Sequence, residues 1–192
     1  MSEQSTDAIP AARGAANRLR CSDPSCGTWL SREEGRYSCP RCGQLVELVL
    51  EVDPEVARAW PTRWRGRLPG RDASSRSGVW RFSELLPSTP PGVAPVTLGE
   101  GGTPLVELPQ LAEELQLESL AVKHLGVNPT GSFKDLGMTV CVTEARALRR
   151  DVVACASTGN TSASMAAWVA SAKGRLENLA PSPPKKTEPP TG

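Results

Sequence analysis

The run Asn128-Pro129-Thr130-Gly131-Ser132-Phe133-Lys134-Asp135 constrains this chain more than any other stretch. Lys134 stands three residues after Gly131, just inside what reads as a helix start. Ser132 is a good N-cap, and Asp135 three positions on completes a capping-box pattern. Phe133, Leu136, Val140, Cys141 and Leu148 then recur at helical spacing, which predicts a helix over 132–149 with these side chains inward. The positive end of a helix dipole disfavours a bound proton on an amine, and a neutral amine is what Schiff-base chemistry needs. For the lysine taken alone, the plain reading is an ordinary capped helix with a solvated amine.

The surrounding pattern is α/β. Thr103–Val106 reads as an edge strand and Leu120–Leu125 as the next strand, with a short helix over 110–117 carrying Leu111, Leu115 and Leu117. A strand over 152–156 precedes an Ala-rich helix over 161–172. Strand, helix, strand, helix with short connections predicts parallel strands in a doubly wound sheet. The two loops that end in helix starts, at 128–134 and 157–160, then lie at carboxyl ends of strands, where such sheets bind ligands. In the second loop, Ser157, Thr158, Gly159, Asn160 and Thr161 form a strand-to-helix turn. Backbone N–H groups there suit an anionic carboxylate, and Gly159 has no Cβ to keep a ligand away. The plain alternative is a helix-capping turn. Cys141 and Cys155 fall on apolar positions and read as core; His124, the only histidine, reads as structural.

Upstream, Cys21, Cys26, Cys39 and Cys42 follow the pattern C-x4-C-x12-C-x2-C. Two cysteine knuckles separated by a hairpin-length stretch supply four thiolates to a tetrahedral zinc, a structural rather than catalytic arrangement. Gly27 and Gly43 follow each pair and allow the tight turn such a knuckle needs. Trp29, Leu30 and Tyr37 are candidates to pack the ribbon, and 44–52 reads as a strand. The competing reading is a ribbon that keeps its cysteines without binding metal.

These landmarks divide the chain into a disordered tail over 1–19, a zinc ribbon over 20–52, a basic linker with one short helix over 53–95, an α/β segment over 96–172 and a disordered Pro-rich tail over 173–192. The linker's arginines, beside a ribbon, invite a nucleic-acid reading, but no aromatic-basic groove pattern accompanies them and a solvated linker is favoured. A net charge of +1 gives no global electrostatic argument for nucleic acid or membrane. No apolar run reaches spanning length, and the N-terminus lacks a signal peptide's apolar core. Six cysteines without a secretory signal suggest a reducing, cytoplasmic setting.

Three stretches in this order carry a resemblance: Gly99-Glu100-Gly101-Gly102-Thr103-Pro104-Leu105, then Asn128–Asp135, then Ser157-Thr158-Gly159-Asn160-Thr161-Ser162-Ala163. Together they resemble the threonine synthases, pyridoxal-phosphate enzymes of the tryptophan-synthase-β-like family. Leu136 stands where many relatives have Arg, although the run from Lys134 to Thr139 is also similar to a variant within the threonine synthases. The resemblance implies an incomplete doubly wound parallel sheet of the fold-type II kind, led by the zinc ribbon. It implies Lys134 as the Schiff-base lysine and general acid/base, Ser157–Thr161 as the substrate-carboxylate loop, and Asn160 at the cofactor's ring hydroxyl. The implied substrate is O-phosphohomoserine, converted with water to threonine and phosphate. In the family more sheet follows the second loop, so the chain reads as a truncated form. On that reading it is expected to be inactive by itself and to fold weakly, dimerise through its open sheet or aggregate. The alternative of a different class is a non-catalytic zinc-ribbon interaction module derived from such an enzyme.

Overall fold

The computed structural model describes residues 17–67, 73–87, 89, 93–172 and 177–179. The tail over 1–16 and most of that after 172 lie outside the described residues. The ribbon begins earlier than its cysteines suggest, because strand β1 (Asn17–Cys21) reaches back into the stretch read as tail. It pairs antiparallel with β2 (Trp29–Leu30) and β3 (Val46–Leu50) in the order β2-β1-β3, with Leu19 opposite both Leu30 and Leu48. Leu30 packs inside, but Tyr37 is 80% exposed and does not serve as the packing residue expected of it. A small metal-type ribbon has its core in the cysteines themselves: Cys21, Cys26 and Cys39 are buried, with Val46 against them.

The stretch expected to be a solvated linker is built into the structure over its described part. Helices α1 (Pro54–Ala57), α2 (Trp60–Arg67) and α3 (Ala73–Arg76) lead to a 3-10 helix at Trp80–Leu85. Trp60 and Trp80 are buried, and Trp64 meets the Phe82 ring edge-on at 5.1 Å between centroids. Glu84 is buried beneath this cluster. Arg67 grips it with two hydrogen bonds of 2.8 and 2.7 Å, and the Trp64 indole donates a third at 3.0 Å. Burial by itself raises the Glu84 carboxyl, but the Arg67 and Trp64 donors outweigh it and hold it below the usual range.

Strands β4 (Leu105–Glu107) and β5 (Ala121–Lys123) pair antiparallel, not parallel as strand-helix-strand order suggested. The connecting helix α4 (Pro109–Glu114) is short, and Gln116 at φ 55° closes its C-terminal end before the chain returns as β5. Leu111, Leu115 and Leu117 stay exposed, with only Ala112 of α4 buried. Parallel pairing does occur between β6 (Val152–Ala154) and β7 (Glu177–Leu179), although the latter lies in the stretch expected to be a structureless tail. The structure is thus mixed α/β with small sheets, and among the described residues no single sheet joins β5 to β6.

Helix α5 (Lys134–Ala147) packs on helix α6 (Asn160–Ser171). Val96, Val142, Met165, Trp168, Val169 and Ala172 form their common core, with Met138, Val153 and Cys155 against it. Complete burial of a side chain such as Val142 stabilises the fold by about 2 kcal/mol. The inward face of α5 is not the apolar one expected. Phe133 is 55% exposed and Cys141 is also on the outside, whereas Asp135, Thr139, Val142, Thr143 and Ala145 are buried. The buried hydroxyls are satisfied. Trp80 Nε1 donates to Thr139 Oγ1 at 2.7 Å, and Thr139 donates onward to the Val96 carbonyl. The Val96 N–H in turn donates to Thr143 Oγ1 at 2.9 Å, while the Thr143 hydroxyl donates to the Thr139 carbonyl. The ribbon is tied to the same helix by Arg32, whose guanidinium grips the Glu144 carboxylate.

The Glu84 carboxyl is held low in the folded state, so its contribution to stability is complete above the ordinary carboxylate range. It is lost as pH falls through the lowered folded value. Glu84→Gln is therefore expected to lose about 2–3 kcal/mol near neutral pH. Urea midpoints of the two proteins, measured down a pH series, should converge in acid. A constant gap would show that the charge is not what Arg67 and Trp64 recognise.

Candidate functional site

Two sites take shape, one in the ribbon and one at the start of α5. In the ribbon, β1 delivers Cys21, and Cys26 is carried on the turn before β2; Cys39 and Cys42 sit on the turn before β3. Gly27 at φ +63° and Gly43 at φ +77° make these turns, a backbone region that side chains with a Cβ rarely adopt. The Gly43 N–H closes its knuckle on the Cys39 carbonyl at 2.9 Å. The four sulfurs all lie within 4.8 Å of one another, with Cys21 to Cys42 at 3.4 Å and Cys26 to Cys39 at 3.7 Å. A tetrahedron of thiolates about 2.3 Å from a zinc ion has edges of about 3.8 Å, so the donor set and its spacing fit that metal. The looser four-residue first knuckle is thus no obstacle to closure.

Burial raises the Cys39 thiol, but N–H groups of Arg41 and Cys42 outweigh it and bring it down to about 6. The Thr28 hydroxyl likewise lowers Cys26. Cys21 is pushed up to about 12, chiefly by burial. Without a cation the cluster therefore holds a mixture of thiolate and thiol, and metal must displace the remaining protons.

At the second site, Lys134 opens α5, half-buried, its Nζ 4.7 Å from the centre of the Phe133 ring. Among the described residues no carboxylate lies within ion-pair distance of it. The loop before it is fixed on both sides. Asn128 Oδ1 accepts from the Gly101 N–H at 2.9 Å while its Nδ2 donates to the Leu125 carbonyl at 2.7 Å. The expected capping box does not form. Ser132 Oγ accepts from the Lys134 N–H at 3.2 Å, but Asp135 turns to the loop and accepts from the Thr130 N–H at 2.7 Å and from its hydroxyl. A completely buried carboxylate thus staples the loop onto the first turn of the helix. Lys123, the other lysine nearby, spends its ammonium on the Thr103 carbonyl.

The loop 155–159 and the start of α6 carry the remaining candidates. Ser157 Oγ accepts from the Gly159 N–H at 3.2 Å, and the Ser162 hydroxyl donates to the Ser157 carbonyl. Gly159 occupies the N-cap without any side-chain cap, so no side chain covers the first-turn donors of α6. A Cβ at Gly159 would meet nothing within 4 Å, so packing does not require glycine there. Thr158, Gly159 and Asn160 are exposed, and Ser157 and Thr161 are half-buried. Lys134 and this loop lie at the starts of two helices that pack together, although no hydrogen bond joins them among the described residues. An amine, an uncapped helix start and a carboxamide are a donor set that suits an aldehyde cofactor and an anionic substrate.

Sequence reasoning missed Glu100 and Asn128, both buried, and the inward-facing threonines of α5. The one signal for Glu100 was a charged residue inside a glycine run, Gly99-Glu100-Gly101-Gly102.

Residues 96–185, a little under half of the chain, match the family of pyridoxal-phosphate dependent enzymes. Among curated proteins the chain is similar to threonine synthases. It is 41% identical over 159 residues to that of Methanosarcina acetivorans, covering 80% of this chain and 34% of the relative. Identity to the Methanocaldococcus jannaschii threonine synthase is 44% over 145 residues, covering 76% and 33%. The Mycobacterium leprae threonine synthase is 58% identical over 78 residues, covering 41% and 21%. The chain therefore spans about a third of the length of the first two relatives.

Metal analysis of the purified chain under reducing conditions is expected to find one zinc per molecule. Cys39→Ser should lose it, because three thiolates and a hydroxyl make a much weaker set. Near-stoichiometric zinc retained by Cys39→Ser would place the metal elsewhere.

Proposed function

We propose that the chain forms the zinc ribbon and the N-terminal part of the catalytic domain of a threonine synthase-like enzyme, one that converts O-phosphohomoserine and water to threonine and phosphate. The observation that carries this reading is the fixed loop and helix start around Lys134, whose amine lies over the Phe133 ring with no carboxylate at ion-pair distance among the described residues. The likeness to threonine synthases over both modules supports the choice of reaction.

Pyridoxal phosphate, when bound, supplies an electron sink for charge developing beside the substrate amino group. The chain's own residues bind, orient and move protons. Lys134 would hold the cofactor through its Nζ, and its amine would take and return protons as general base and acid. The backbone N–H groups at 158, 160 and 161 would face the substrate carboxylate, with the start of α6 lending its dipole. The Asn160 carboxamide, exposed at that helix start, orients the cofactor ring through its hydroxyl. Gly159 gives the ligand close approach. The ribbon is structural, since four thiolates fill a tetrahedral zinc and leave no position for water.

In a protein of the relatives' full length that carries these residues, Lys134→Ala is expected to abolish phosphate release from O-phosphohomoserine, a loss of at least about 10³-fold. Asn160→Ala should lower kcat/KM by about tenfold or more, without moving the unfolding midpoint. Turnover that survives Lys134→Ala would remove the lysine from the chemistry. Full activity in Asn160→Ala would remove the second loop.

A further inference from the structure

Glu100 is completely buried within a glycine run, and the chemistry outlined for Lys134 does not use it. Its carboxylate faces donors that cannot turn away. Ser77 Oγ accepts from the Val79 and Trp80 N–H groups at 3.1 and 3.0 Å, which occupies both of its lone pairs. Its single hydrogen therefore goes to Glu100 Oε1, at 2.6 Å. The Leu98 N–H donates to Oε2 at 3.1 Å, and the Thr97 hydroxyl donates to the same oxygen at 2.7 Å while accepting from the Gly99 N–H. Each carboxylate oxygen thus meets an obligate donor. A carboxamide has only one oxygen, and either orientation would set its NH2 against an N–H or an O–H.

From this hub two arms run to the catalytic lysine. One passes through Ser77, which caps the 3-10 helix at Trp80, to the Trp80 indole and so to Thr139, five residues after Lys134 on α5. The other passes through the next peptide, where the Gly101 N–H holds Asn128, six residues before Lys134. The two arms are locked together at their root. The Gly78 N–H donates to the Glu100 carbonyl at 2.6 Å, and a Cβ on Gly78 would lie 2.0 Å from the Gly102 nitrogen. Loop and helix are therefore referenced to one buried charge, and Lys134 sits at the junction between them.

We propose that Glu100 is a positioning residue for Lys134, holding the preceding loop and the following helix in one register so that the amine meets the cofactor aldehyde in a single orientation. This inference rests on the cofactor reading of Lys134. Misplacement of a reacting group by about 1 Å costs up to about 10²-fold, so loss of the hub is expected to show at the amine before it shows in the fold.

The test uses the zinc-loaded chain. It is incubated with pyridoxal phosphate and reduced with borohydride, and labelling at Lys134 is measured by peptide mass spectrometry relative to the chain's other lysines. Induced circular dichroism in the cofactor's own absorption band reads whether the bound group has one orientation, which folding alone does not alter. Glu100→Gln should reduce the selectivity for Lys134 by at least about tenfold and abolish the induced signal, with the far-ultraviolet signal of the helices unchanged. Selectivity retained within about twofold in Glu100→Gln would overturn the positioning role. If Glu100→Gln fails to fold, Thr139→Val cuts the helix arm alone, and it should move both readouts in the same direction by a smaller factor. Full selectivity in Thr139→Val would then overturn the proposal. No preference for Lys134 in the unaltered chain would overturn the cofactor reading, and this inference with it.

Discussion

The described structure depends on how α5 is held. Its inward face is polar, and its partners are an indole, a carbonyl and a backbone N–H from segments some 40 to 60 residues away in sequence. Buried hydroxyls cost free energy unless each donor and acceptor is met, and here Thr139 and Thr143 are met on both counts. The apolar contacts with α6 supply the larger share of burial, but they permit sliding. The hydrogen-bonded face does not, because a helix shifted by one residue would leave Trp80 and Val96 without partners.

The position of Lys134 follows from this. Two buried polar side chains fix the loop that precedes it: Asn128 bonds the Gly101 N–H and the Leu125 carbonyl, and Asp135 accepts from the Thr130 N–H and hydroxyl. A loop tied through its own N–H and C=O groups has little freedom left. The second loop is built differently. Its hydroxyls are occupied locally, and its N-cap is left open. One loop is therefore stiff and carries the amine, while the other presents uncapped donors.

The segment between ribbon and α/β part belongs to this scheme. Trp60, Trp64, Trp80 and Phe82 place large aromatic surface where a basic linker was expected, and Glu84 with Arg67 locks it. Its arginines are partly spent inside the protein, which weakens the case for a nucleic-acid surface. The Arg32–Glu144 pair joins the ribbon to α5 from the opposite direction. Cluster, aromatic segment and lysine helix thus share contacts, so the cysteine ribbon is a neighbour of the lysine helix and not a detached module.

What the sequence by itself determined is what depends on neighbours along the chain. The cysteine spacing with its two glycines was legible as a metal knuckle pair, because ligand geometry within a knuckle is set by a few adjacent residues. The string from Asn128 to Asp135 was legible as a lysine at a helix start, and Ser157–Thr161 as a strand-to-helix turn, for the same reason. Only tertiary structure decided which face of α5 turns inward, since Thr139 and Thr143 read as outward until Trp80 and Val96 provide partners. Only tertiary structure took Asp135 from the capping box and gave it to Thr130, or made Glu100 the centre of a buried network. It also decided the sense of β4 against β5, which pair antiparallel despite the strand-helix-strand pattern. In each case the deciding partner lies outside the local window, and the free energy of satisfying a buried polar group exceeds the preference written in the local sequence.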